Sequence, residues 1–235
     1  RPDFHDEVQR RDYRFGLTQV LTRNLLASID YEAITEQGYL QNPYRSIRYC
    51  QPVCTGSAGD TYAFAPEVFP RTRTSNAVAL RLKYYLPWRA SLDGRYRYYT
   101  DTWGIDAHTA EIEYTHPWGP RWVFSGSYRF STQNSADFFS DLFPYQNAQN
   151  FMARDRAYSA LTSNTVGLGA AYEFPVDWTS WLKRGTANLR FDRMRIDYGQ
   201  FRDLRNYPPG TVQAGTEPLY SYSADILQFF LSFWF

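Results

Sequence analysis

The stretch Val78-Ala79-Leu80-Arg81-Leu82-Lys83-Tyr84-Tyr85-Leu86 puts apolar side chains at its even positions and both of its cations at odd ones. Successive side chains on a strand point to opposite faces, so a period of two predicts a strand with one apolar and one polar face. The pattern continues on both sides. Downstream, Leu92, Gly94, Tyr96 and Tyr98 alternate with Asp93, Arg95, Arg97 and Tyr99, and Ala110, Ile112 and Tyr114 with Thr109, Glu111, Glu113 and Thr115. Trp122, Phe124, Gly126, Tyr128 and Phe130 alternate with Val123, Ser125, Ser127, Arg129 and Ser131. Val166, Leu168, Ala170, Tyr172 and Phe174 follow against Thr165, Gly167, Gly169 and Glu173. Upstream, Tyr13, Phe15, Leu17 and Leu21 form one strand pattern and Leu25, Ala27, Ile29 and Tyr31 the next. Ala187, Leu189 and Phe191 begin another whose phase slips near Arg193, before Met194, Ile196 and Tyr198, which predicts a bulge. The last carries Leu227, Phe229, Leu231, Phe233 and Phe235 on one face, for nine predicted strands.

Composition agrees with a two-faced sheet and excludes several other classes. The 235 residues include 20 Tyr, 17 Phe and 7 Trp, yet mean hydropathy is −0.55. No stretch approaches the ~18–20 uninterrupted apolar residues of a spanning helix, and the aromatic content is foreign to disordered chains. The formal net charge of +1 gives no reason to expect a nucleic-acid partner. Lys83 and Lys183 are the only lysines; every other cationic side chain counted is Arg.

The connections alternate in length. Thr22-Arg23-Asn24, Pro87-Trp88-Arg89, Pro117-Trp118-Gly119-Pro120 and the stretch 175–184 read as shorter turns. Residues 36–75, 101–107, 132–162 and 199–219 read as longer or more polar connections, rich in Pro, Asn, Asp and Ser. Short turns on one rim and long loops on the other is the asymmetry of an outer-membrane β-barrel. The predicted class is therefore all-β, a single antiparallel transmembrane barrel domain over 1–235, with residues 1–11 as the tail of a loop. Aromatics at both ends of the apolar face (Tyr13 and Phe15, Tyr96 and Tyr98, Trp122, Tyr172 and Phe174) match the girdles expected at two membrane interfaces. The competing reading is a soluble sandwich whose aromatics form its core.

With the apolar face outward, the polar face becomes a lumen lined by Arg81, Lys83, Asp93, Arg95, Arg97, Glu111, Glu113, Arg129 and Glu173. Opposite charges across strands stabilise by a few tenths to ~1 kcal/mol each. The register predicted from the turns sets Arg97 opposite Glu113, Arg81 near Arg97, and Gly94 beside Tyr84. Such a ladder either filters solutes or simply fills the interior.

Other chemistry finds little support. Cys50-Gln51-Pro52-Val53-Cys54 predicts a disulfide stapling a loop; it lacks the His and spacing of haem attachment and the further ligands zinc needs. No cofactor or metal site is expected. His108 and His116 fall on the outer face, but Ala110 and Trp118, not serine, stand two residues on, so a phospholipase-type pair is missing. Asp101, Asp106 and His108 lack any protease-specific spacing, and turn-making explains the acids better. Gly167-Leu168-Gly169 lies inside a strand pattern with no following helix, so it is no dinucleotide loop. Asp137, Asp141 and Asp155 read as solvated loop charge rather than a calcium site.

The runs Gly16-Leu17-Thr18-Gln19-Val20-Leu21-Thr22, Asn42-Pro43-Tyr44-Arg45 and Tyr96-Arg97-Tyr98-Tyr99-Thr100-Asp101-Thr102-Trp103-Gly104 carry a family resemblance, as do Tyr128-Arg129-Phe130 and Ser135-Ala136-Asp137-Phe138-Phe139. The chain resembles a family of Gram-negative envelope proteins catalogued as domain of unknown function 3570. The resemblance implies an outer-membrane barrel and no transferable activity; it also implies further strands upstream of Tyr13. Parity points the same way, because bacterial single-chain barrels have even strand numbers. The expectation is thus the C-terminal part of a larger barrel, or one that pairs with other material. Expected partners are outer-membrane lipid, the barrel assembly machinery through the final strand (Leu231, Phe233, Phe235), and the missing strands or a partner protein. The expected role is passage of a polar solute, against a non-conducting scaffold for a periplasmic or extracellular partner, a redox protein being one candidate, with an outer-membrane enzyme third.

Overall fold

In the computed structural model, residues 5–51, 53–57, 60–176, 182–207 and 211–235 are described. Eleven strands follow one another: β1 (Val8–Thr22), β2 (Leu25–Gly38), β3 (Ser46–Gln51), β4 (Thr61–Pro66), β5 (Thr72–Tyr85), β6 (Ser91–Asp101), β7 (Asp106–Trp118), β8 (Trp122–Gln133), β9 (Leu161–Pro175), β10 (Arg184–Arg202) and β11 (Leu219–Trp234). Nine form one antiparallel sheet in the order β1-β2-β5-β6-β7-β8-β9-β10-β11, the all-β meander and strand number that the alternation predicts. The sheet is not closed: no ladder joins β1 to β11 among the described residues.

The strands run further than the alternation suggests. Residues 8–11, expected in a loop tail, already belong to β1 and pair with β2. The connection at 36–75 contains the β3–β4 hairpin, missed because its six-residue strands sit among Pro, Gly and Ser. The predicted turn around 175–184 lies partly outside the described residues.

Turn chemistry sets the register and corrects three expected pairings. Residues 101–106 form a tight turn rather than an open loop. The Asp101 N–H donates to the Ile105 carbonyl at 3.1 Å, the Asp101 carboxylate accepts from the Trp103 and Ile105 N–H groups, and Gly104 takes φ +81°. That closure pairs Thr100 with Asp106, so Arg97 faces Thr109, not Glu113. In the next turn Leu86 N–H donates to the Ala90 carbonyl at 2.8 Å, and Arg81 therefore faces Arg95 rather than Arg97. The same register places Gly94 between Leu82 and Ile112, with Tyr84 opposite Leu92.

No bulge occurs at Arg193. The β9–β10 ladder is regular through Tyr198, and the β10–β11 ladder shifts only after Asp197. What changes near Arg193 is polarity. Leu189 and Phe191 share a face with Arg193, Arg195 and Asp197, while Arg190 and Asp192 share the other with Met194, Ile196 and the buried Tyr198. The strand continues straight while its surroundings invert, and a two-residue period cannot distinguish that from a slip.

Among the described residues nothing covers the middle of the apolar face of the sheet: Leu168, Leu227 and Phe229 are 63%, 70% and 63% exposed. The buried apolar clusters lie at the long-connection rim. One joins Phe69, Trp103, Ile105, Ala136, Phe138 and Ala153; the other joins Ile47, Tyr49, Phe143 and Met152. The long connections thus build a small cap with its own core, tied across by Val68–Met152 and Tyr49–Phe143 bridges.

Candidate functional site

Alternation on β1, β2, β5, β6 and β7 brings charged side chains together on the polar face. Arg81 on β5 and Arg95 on β6 both bind Asp93, and Arg95 extends to Glu111 at 3.3 Å and Glu113 at 3.9 Å on β7. The Asp93 side chain is nearly sealed under the two guanidinium groups. Arg97 reaches past β5 to Glu32 at 3.6 Å, which the small Ala77 and Ala79 between them permit. Glu32 also holds Arg14 at 2.8 Å, and Arg14 holds Asp12.

Of the nine predicted polar-face residues, Arg81, Asp93, Arg95, Glu111 and Glu113 form one cluster. Arg97 joins a neighbouring one. Lys83 faces Asp93 and Arg129 faces Glu111 in register, with no ion pair to those partners within 4 Å among the described residues. Glu173 lies at the short-turn rim, 3.6 Å from Arg184. Further round the face, Arg190 binds Asp192 and crosses β9 to donate to the Ser127 hydroxyl at 3.0 Å. Gly167 and Gly169 lie beneath that crossing. A Cβ at Gly167 would meet Asp192, Ser127 and Arg190, so close approach explains these glycines, not a nucleotide.

On the apolar face, aromatics gather in two belts. At the short-turn rim the Trp88 indole N–H donates to the Tyr114 hydroxyl at 3.1 Å, Tyr114 stacks near His116, Trp122 packs on Tyr172 at 4.6 Å, and Phe174 meets Phe233. Toward the long-connection rim, Tyr31 donates to Asn76, Tyr128 to Asn164 and Tyr98 to Asp106, each at 2.7 Å. His108 belongs to this belt, its Nδ1 2.7 Å from the Tyr96 hydroxyl, and His116 to the other. The ten residue steps from His108 to Trp118 rise about 33 Å along a strand, or about 25 Å at a tilt near 40°.

The cap contains a buried ion network that the sequence does not announce. Arg48, with no exposed surface, binds Asp141 and Glu217, and stands 4.8 Å from the Tyr62 ring. Asp141 also binds Arg154 at 2.9 Å and accepts from the Arg202 N–H at 3.0 Å. Burial opposes the charge on Arg48, but the two carboxylates hold its pKa above the ordinary value; Arg48 in turn keeps Glu217 ionised against its own burial. The expectation that Asp141 is solvated is therefore corrected: it is the hub of this network. Asp155 instead caps the 156–158 turn and meets Arg45 at 3.4 Å. Glu67 differs from all of these. Burial pushes its carboxyl pKa up, one oxygen accepts the Arg154 N–H at 2.8 Å, and the other is sealed without a hydrogen-bond partner among the described residues. Beside the network Cys50 and Cys54 form the predicted disulfide, with Cα atoms 5.1 Å apart. These partners lie up to 169 residues apart, in segments with no periodicity, so only the disulfide and the Ile47-Arg48-Tyr49-Cys50 alternation could have pointed to the hairpin.

A family model described as "Protein of unknown function (DUF3570)" matches residues 1–212. No curated protein matches the chain. Among solved structures, an outer membrane protein of Vibrio cholerae, OmpT in its trimer form, is similar over 94% of this chain, with 10% identity and a TM-score of 0.47. The chain spans 56% of the length of that structure's chain.

Proposed function

The chain belongs to the family of unknown function DUF3570, and from that premise we propose that it is an outer-membrane β-barrel giving polar solutes a path across the membrane. The observation that carries this reading is the pairing of an exposed, aromatic-belted apolar face with a charged opposite face on one sheet. Lipid covers the first and water the second. The charged face then selects solutes electrostatically, through Arg81, Asp93, Arg95, Arg97, Glu111 and Glu113, while the cap narrows the extracellular mouth. Because unpaired strand edges are not tolerated in lipid, the outer edges of β1 and β11 pair with further strands, of this protein or of another chain.

Planar-bilayer conductance and solute flux into liposomes test the path. The expected result is conductance whose ion selectivity shifts on Arg95→Glu and Arg97→Glu. A purified, folded barrel that neither conducts nor passes solutes overturns it. A non-conducting scaffold is the second reading, favoured by one specific feature: the charges on the polar face are largely spent on one another, and the cap is packed with its own core.

A further inference from the structure

At the rim of the cap, five arginines face one cleft of about 300 Å³: Arg45, Arg154, Arg156, Arg202 and Arg205. The carboxylate in its wall is Asp203, which Arg205 holds at 2.6 Å. Behind the wall, Asp141 is bound to Arg154 and Asp155 to Arg45. That leaves Arg156 and Arg202 without a carboxylate partner among the described residues. The Arg202 guanidinium donates to the backbone carbonyl of Glu217, and the Arg156 guanidinium donates to the Tyr220 hydroxyl at 3.4 Å.

The tyrosine makes the crowding sharper. Arg205 and Arg156 stand 5.0 Å and 5.7 Å from the same Tyr220 ring, with Arg156 also 5.9 Å from Tyr222. Ring faces offset part of the repulsion between two guanidinium groups, but they do not neutralise charge. Tyr220 and Tyr222 project to the side of β11 opposite Phe229 and Leu231, the side that carries the charged ladder elsewhere on the sheet.

We propose that this cleft binds the phosphate group of an anionic solute, held by Arg156 and Arg202 with Arg205 and the Tyr220 hydroxyl beside them. Phosphate has the charge and the acceptor oxygens to engage several planar guanidinium forks at once, and the volume admits a small phosphate ester. The inference rests on the proposed reading in naming the solute class, but binding does not require conduction. A silent barrel that still binds removes the path and leaves the site.

The test is titration of the full chain, folded in detergent, with inorganic pyrophosphate at fixed ionic strength, read by calorimetry. Arg156→Gln and Arg202→Gln are each expected to weaken binding about tenfold or more, as loss of a bond to a charged group does. Arg195→Gln, on the opposite face and paired with Asp197, is expected to leave it unchanged. Arg156 packs at the surface of rings, so its variant serves if the Arg202 variant fails to fold. Absence of pyrophosphate binding, or equal losses in all three variants, overturns the site. Lipid A micelles that fail to compete support a soluble ligand. Displacement by lipid A, lost in Arg156→Gln, overturns the solute assignment in favour of a lipid headgroup.

Discussion

Leu168 on β9 and Phe143 in the cap show how differently two parts of this chain treat apolar side chains. Leu168 is 63% exposed in the middle of a regular ladder, whereas Phe143 is 1% exposed in a segment with no regular structure. The cap behaves as a small water-soluble domain, with aromatics inside and a buried ion network beneath. The sheet is apolar outside and charged inside. Where the two meet, on β10, the faces exchange character: Arg193 and Arg195 follow Leu189 and Phe191 outward, and Met194 and Ile196 follow Arg190 and Asp192 inward. One chain thus obeys two solvents, and the polarity change on β10 marks the boundary.

The largest effect that would break this contrast falls on the cap. Arg48→Ala leaves Glu217 buried without its counter-ion and takes one of the two arginines bound to Asp141, which costs about 3–5 kcal/mol. Limited proteolysis of the folded protein should then cut the segments 39–71 and 134–160 while the nine-stranded sheet stays protected. Protection equal to wild type would mean that the network does not hold the cap together.

Next comes the sheet. Leu168→Arg should destabilise the protein in lipid by about 2–4 kcal/mol, the cost of an arginine facing the bilayer midplane. Thr165→Arg, on the opposite face, should cost far less in the same unfolding titration. Equal costs would remove the difference between the faces.

The smallest effect concerns Glu67. Burial raises its folded-state pKa, so its contribution to stability is fully present below the ordinary carboxylate pKa and is lost as pH rises through the folded value. At neutral pH the ionised form is a cost. Glu67→Gln removes that cost and keeps an oxygen for the Arg154 N–H, so the cap should gain about 1 kcal/mol at neutral pH and nothing in acid. A variant less stable than wild type at neutral pH would show that the charge is used.

The sheet was legible in the sequence because it repeats. Alternation over β5 to β9 places each residue on its face, and the terminal Leu227 to Phe235 run does the same for β11. Register was less legible, since it depends on Asp101 and Gly104 closing a tight turn that reads as an open connection. Polarity inversion on β10 imitated a bulge for a related reason: periodicity reports a face, not its solvent. The cap was illegible. Arg48, Asp141 and Glu217 meet through three separate connections, and no local pattern records contacts of that range.

The central claim, that the apolar face of the sheet lies in lipid and the charged face in water, is tested most directly by spin-label accessibility in reconstituted bilayers. Labels placed singly at Val166→Cys, Leu168→Cys and Ala170→Cys should be relaxed preferentially by dissolved oxygen. Those at Thr165→Cys and Ala171→Cys should respond to a water-soluble nickel complex, giving a period of two along β9. Uniform accessibility, or the opposite phase, would contradict the account and make the exposed aromatic face a surface for something other than a membrane.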